Sequence, residues 1–252
     1  MYFCGKSPRE LYRTIECIAL RTVKYSDRSS ILTVYSRECG RMSLLVPAGR
    51  GMGAARMRAL LMPLGHFECV ADLRPGRDVH TIGDVRPLTF PPVGDPLRST
   101  LALFIADVLS SLLREQMADA HLFGFLRQAL GVLSERGVTM AQLKNFHIVF
   151  LVRLAKFLGI EPDWSTYAPG TYLDYDDGIF RKFPPAHRRF LPADESAMAR
   201  VLSRLTFRNG GRLRLTRFER NMVVDRVLLY YQSHYPSAGE PQSLAVLRVV
   251  AD

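Results

Sequence analysis

The chain has 252 residues, 48% of them apolar and 23% charged, enough to bury a proper core and to divide into two domains. This composition excludes a disordered chain, and no apolar run approaches the roughly 18 residues that span a bilayer. The formal net charge of +10 points to a polyanionic partner. IVFLVRLAKFLGI comes nearest to a membrane span, but Arg153 and Lys156 break it. The opening MYFCGKSPRELYR lacks the apolar centre of a secretory signal, so a cytosolic protein is expected. Cys4, Cys17, Cys39 and Cys69 show no paired spacing and read as reduced thiols, with Cys17 a small buried hydrophobe.

Taken in order, TIECIALRTV (14–23) and SILTVYS (30–36) are β-branched runs that read as strands. A turn containing Gly40 leads into a third strand, 41–47, where Met42, Leu44 and Val46 alternate with more polar neighbours. A loop follows in which Gly49, Gly51 and Gly53 lie among Arg50, Arg56 and Arg58 with no acid. Residues 59–73 and 78–88 supply two more strands. Five short strands around one long loop predict a five-stranded OB-fold barrel over 14–88, preceded by an extension, 1–13.

The Pro-rich LTFPPVGDP (88–96) marks a boundary, and a helical domain over 95–252 is expected beyond it, giving an α+β protein. Asp95 caps a first helix with Pro96 at its first position. Asp119 caps a second that ends near Gly137. Thr139 and Gln142 form a capping box for a third, which runs to Gly159 and is apolar almost all round. Residues 163–187 interrupt the helices with a small hairpin turning at Asp177-Gly178. Further helices are expected at 193–207, at 216–234 behind a Thr216–Glu219 capping box, and through PQSLAVLRVV.

The charge is uneven. Residues 21–58 and residues 200–220 each carry a surplus of six Lys/Arg over acids. Catalytic signals are missing by contrast. The glycine loop lacks the Gly-Lys-Ser/Thr ending of a phosphate-binding loop. DYDDG places its glycine one residue early for a calcium loop and lacks the closing Glu. His66 and Cys69 have no second pair for zinc, and His147 lies in the most apolar helix as a core histidine. The pattern is that of a binder, not an enzyme.

IALRTVKYSDRSSILTVYSRECGRMSLLVPAGRG resembles the opening of the RecO family of bacterial recombination and repair proteins. VLLYYQSHYPSAGEPQSLAVLRVV resembles the family's closing helix pair, with LPLGHFECVADLR and the helical block in the expected order between them. The resemblance covers roughly residues 14–250. It implies an N-terminal OB-fold, a helical domain and a cytoplasmic, nucleoid-associated protein. It also implies binding of single- and double-stranded DNA, annealing of complementary strands, capture of the acidic C-terminal tail of single-stranded DNA-binding protein, and action with RecR to load RecA.

On this resemblance the expected DNA contacts are Lys24, Arg41, Arg50, Arg56 and Arg58, joined by Arg212 and Arg214 of the second basic block. The expected tail contacts are Arg153 and Lys156, which interrupt the apolar third helix, with Arg127 on the preceding helix. The alternative is that Arg153 and Lys156 snorkel to solvent or pair with an acid such as Asp107. Many family members hold zinc with four cysteines in the region matching 163–187, which here has none. No metal or other cofactor is therefore expected, and Trp164, Tyr167, Tyr172, Tyr175 and Phe180 must hold the hairpin. Tyr25 and Tyr35 are candidates either to stack on unpaired bases or to pack in the barrel. The alternative reading is a protein adaptor that docks acidic tails and has only incidental affinity for DNA.

Overall fold

The computed structural model describes residues 12–47, 57, 61–89, 94–114 and 117–250. Five strands, β1 (Tyr12–Ser26), β2 (Ser29–Ser36), β3 (Gly40–Pro47), β4 (His66–Asp72) and β5 (Val79–Thr89), close into a barrel in the order β1-β2-β3-β5-β4. Neighbours are antiparallel except β3 and β5, where Ser43, Leu44 and Leu45 lie parallel to Val79, His80 and Thr81.

The side-chain period of two fills the interior. Ile15, Cys17 and Ala19 of β1, Leu32 and Val34 of β2, Met42, Leu44 and Val46 of β3, and Phe67, Cys69 and Ala71 of β4 form one core. Each large aliphatic or aromatic side chain contributes about 1.5–3 kcal/mol by leaving water. The α+β architecture with an OB-like barrel is as expected.

Two boundaries move. Tyr12 and Arg13 lie opposite Asp72 and Ala71 in the β1–β4 ladder, so the expected extension 1–13 gives its last two residues to the barrel. The strand expected from residue 59 begins at His66 instead. Before it, Leu64 sits in the left-handed region with φ 61°. Its strain is offset by a tight double hydrogen bond, Leu64 N–H to the Ala19 carbonyl and Ala19 N–H to the Gly65 carbonyl, each 2.8 Å.

Two helices follow, α1 (Pro96–Leu112) and α2 (Ala120–Ser134). Asp95 accepts from Arg98 N–H with Pro96 in the first turn, and Asp119 accepts from His121 and Leu122 N–H. The Pro-rich link separates strands from helices, but by packing the first compact unit runs on to Ser134.

Long-range bonds explain why. Arg41 Nη1 donates to the Ser110 and Leu113 carbonyls at 2.9 and 2.7 Å. The Tyr35 hydroxyl donates to the Met117 carbonyl and accepts from Asp119 N–H. Phe123 of α2 packs its ring near those of Tyr35 and His66. Gly40, with φ 71°, lies so close to Met117 that a Cβ there would sit 2.4 Å from the carbonyl oxygen.

The second unit begins at Glu135. It contains α3 (Met140–Phe157), a 3-10 turn (Trp164–Thr166), and a sheet of β6 (Tyr172–Asp174), β7 (Phe180–Arg181) and β8 (Phe190–Leu191). Then come α4 (Ala193–Leu202), α5 (Arg217–His234) and α6 (Leu244–Val250). Both expected capping boxes are present, Thr139 with Gln142 and Thr216 with Glu219.

The Asp177-Gly178 turn also forms, with Gly178 at φ 67°. The small sheet is larger than the expected hairpin because β8 adds a third strand beside β6. Trp164, Tyr167, Tyr175 and Phe180 join Leu173, Leu191 and Tyr230 in its apolar cluster, while Tyr172 packs edge-on against Phe190. Among the described residues, no helix is long and apolar enough to cross a membrane.

Candidate nucleic-acid interface

The β1–β2 ribbon extends past the point where β4 stops supporting it. β4 pairs β1 only from Tyr12 to Ile18, and from Arg21 to Arg28 every residue is exposed. Arg21, Lys24 and Arg28 project from this ribbon with a single acid, Asp27, among them. Lys24 Nζ meets Asp27 at 2.8 Å, but both side chains are open to solvent, where such a pair is worth little. Tyr25 stands beside them at 68% exposure. The signal for this site is the run of strand residues with no apolar core positions after Leu20.

The expected contacts separate. Lys24 stays on the surface, whereas Arg41 clamps barrel to helix, its cation weakened by burial and then by the charges of Arg114 and Arg21. Tyr35 is 2% exposed and hydrogen-bonded, so only Tyr25 remains as a stacking residue. Arg50, Arg56 and Arg58 lie outside the described residues.

The second basic block is a strap between α4 and α5. Arg204, Arg208, Arg212 and Arg214 are exposed along it. Beneath, Asn145 Nδ2 donates to the Gly210 and Leu213 carbonyls at 3.0 and 2.8 Å, and Gln142 Nε2 donates to those of Phe207 and Arg208. Phe207 stacks on Phe146 with ring centroids 4.8 Å apart. Gly211 lies against Gln142, where a Cβ would come within 2.9 Å of Cγ. Asn145 and Gln142 as fasteners were invisible in the sequence, apart from the capping role of Gln142.

The expected tail contacts divide between the units. Arg127 is exposed on α2 of the first unit, while half-buried Arg153 and exposed Lys156 are three residues apart on α3 of the second. His147, buried in α3, is pushed down to about 3 by desolvation and by Arg220, so it is neutral at ordinary pH.

Among the described residues, one trio offers metal ligands: Asp174, Asp176 and His187, whose ligand atoms all lie within 4.8 Å of one another. A search by cysteine spacing misses it. Its carboxylates are already balanced, since Arg181 Nε donates to Asp174 at 2.7 Å and Arg189 Nε to Asp176 at 2.7 Å. Burial pushes the Asp174 carboxyl up, but Arg181 and the N–H groups of Asp176 and Asp177 outweigh it and hold it below the ordinary range.

Family models agree with this layout. The description "Recombination protein O N terminal" matches residues 11–90, and "Recombination protein O C terminal" matches 93–242. The chain is 33% identical over 234 residues to the DNA repair protein RecO of Phocaeicola vulgatus, covering 92% of this chain and 95% of that one. It is 36% identical over 225 residues to the DNA repair protein RecO of Porphyromonas gingivalis W83, with 87% and 91% covered. Against the protein of that name from Azobacteroides pseudotrichonymphae it is 30% identical over 246 residues, with 96% and 100% covered.

Proposed function

The chain belongs to the recombination protein O (RecO) family, and we propose that it is a non-enzymatic DNA-binding mediator of recombinational repair. The observation that carries this reading is the exposed ribbon from Arg21 to Arg28, with three cations and one open tyrosine ring. Cations release condensed counterions from a phosphate backbone, which gives affinity without sequence preference. Tyr25 adds a platform for an unpaired base, at roughly 1–3 kcal/mol per stacked base. Arg212 and Arg214 on the strap are proposed as further phosphate contacts, as are Arg41, Arg50, Arg56 and Arg58 from the sequence.

Annealing follows from these parts without a catalytic group: two strands with their charge neutralised are held close enough to pair. The partners proposed are single- and double-stranded DNA, the acidic tail of single-stranded DNA-binding protein, and RecR, in the loading of RecA. Arg153 and Lys156, with Arg127, are the proposed cations for the tail carboxylates, because a partly desolvated carboxylate must be paired.

The test is fluorescence anisotropy of labelled oligothymidine and of a duplex at several salt concentrations. Binding should be tight at low salt and fall linearly on a log–log plot. Affinity that does not respond to salt overturns the reading.

A further inference from the structure

The second unit holds a cavity of about 250 Å³ for which DNA binding has no use. Val152 of α3, Leu173 of β6, Met198 and Leu202 of α4, and Met222 and Val227 of α5 line it. The space falls short of the roughly 300–1,000 Å³ of small-molecule sites and suits one bulky side chain anchoring a peptide. The two methionines give its wall an adaptable shape.

The rim has the opposite sign to the rest of the molecule. Glu161, Asp194, Glu195 and Glu219 border the cavity with one cation, Arg226. Glu195 holds Arg226 through two bonds of 2.7 Å, Glu219 is taken up by the Thr216 capping box, and Arg200 lies over the Trp164 ring. This leaves Glu161 and Asp194 as the acids open to a ligand's cation. Glu161 and Asp194 are exposed and make no ion pair among the described residues. On a chain of net charge +10, this local surplus of acid selects a cationic visitor.

We propose that this cavity receives a segment of a partner protein that carries a bulky apolar residue next to lysine or arginine. The apolar side chain enters between α4 and α5, and the cation faces Glu161 and Asp194. An acidic tail meets like charge at this rim. The site is therefore distinct from the tail contact assigned to Arg127, Arg153 and Lys156.

Trp164 is the only tryptophan of the chain and lines the cavity, so its emission reports on occupancy. The probes are two short capped peptides with a shared Leu-Phe-Leu centre, one flanked by lysines and one by glutamates, titrated into the full-length protein. The lysine peptide is expected to shift the emission and to bind at least about tenfold more tightly than its twin. Glu161→Lys with Asp194→Asn, both surface changes, should cut that affinity at least about fivefold while leaving the melting curve and oligothymidine binding unchanged. Equal binding of the two peptides, preference for the glutamate peptide, absence of any emission shift, or indifference to the double variant would each overturn the proposal.

Discussion

Two cationic segments of this protein are built on opposite mechanical designs. The ribbon from Arg21 to Arg28 is held mainly by pairing between its own two strands, since β4 has ended at Ile18, with one further bond from the Thr22 hydroxyl to the Leu61 carbonyl at 2.9 Å. The strap from Arg204 to Arg214 is fastened from below by Gln142, Asn145 and the Phe146–Phe207 stack. In the proposed DNA-binding role, the ribbon offers its cations and Tyr25 from an open surface, whereas the strap presents its cations at spacings set by the bonds beneath it. The segments thus differ in fastening as well as in charge, the ribbon carrying three cations and one acid and the strap four cations and none.

The comparison breaks most sharply under charge reversal. Arg21→Glu, Lys24→Glu and Arg28→Glu together should weaken oligothymidine binding on the order of a hundredfold at low salt, and flatten the salt slope by roughly 0.7 per lost contact. An unchanged slope would transfer the main contact to the strap.

Tyr25→Ala should cost about tenfold for single strands and little for a duplex, because only unpaired bases offer a free face. Tyr35→Phe is its control. That substitution removes a bond to the Met117 carbonyl and should lower stability by about 1 kcal/mol without altering DNA affinity.

On the strap, Arg212→Glu with Arg214→Glu should reduce affinity only severalfold, measured in the same titration. Asn145→Ala removes the donor to the Gly210 and Leu213 carbonyls and should destabilise the unit by about 1–3 kcal/mol in urea unfolding. If it lowers affinity more than the arginine reversals do, the strap's rigidity matters more than its charge.

The smallest expected effect is acid sensitivity of the sheet β6–β8. Asp174 and Asp176 are held below the ordinary carboxylate value, Asp176 chiefly by Arg189. Groups depressed in this way stabilise the fold above their unfolded pKa of about 3.9, and that contribution is lost as pH falls through the lower folded value. Trp164 emission should therefore change below about pH 4. A flat profile down to pH 2 would show that the aromatic cluster holds the sheet without the ion pairs.

Much of this architecture was legible because its causes are local. Alternation exposed the barrel strands, Asp95-Pro96 and the two capping boxes fixed helix starts, and Asp177-Gly178 gave the turn. What the sequence hid depends on partners far along the chain. Arg41 looks like a surface cation until Ser110 and Leu113, about seventy residues on, take its guanidinium. Tyr35 looks equally fit for stacking or packing until Met117 and Asp119 arrive beside it. The start of β1 at Tyr12 is set by the ladder with Asp72, which no local pattern announces.

The unsupported length of β1 has one more effect. Among the described residues, its outer edge beyond Ala19 has no neighbouring strand, which leaves that edge accessible to another copy of itself. Exposed strand edges of this kind invite aggregation, and cationic side chains are one means by which proteins prevent it. Arg21, Lys24 and Arg28, besides their proposed part in DNA binding, are thus placed to discourage such pairing between molecules. Neutral substitutions at these positions are expected to raise the protein's tendency to aggregate.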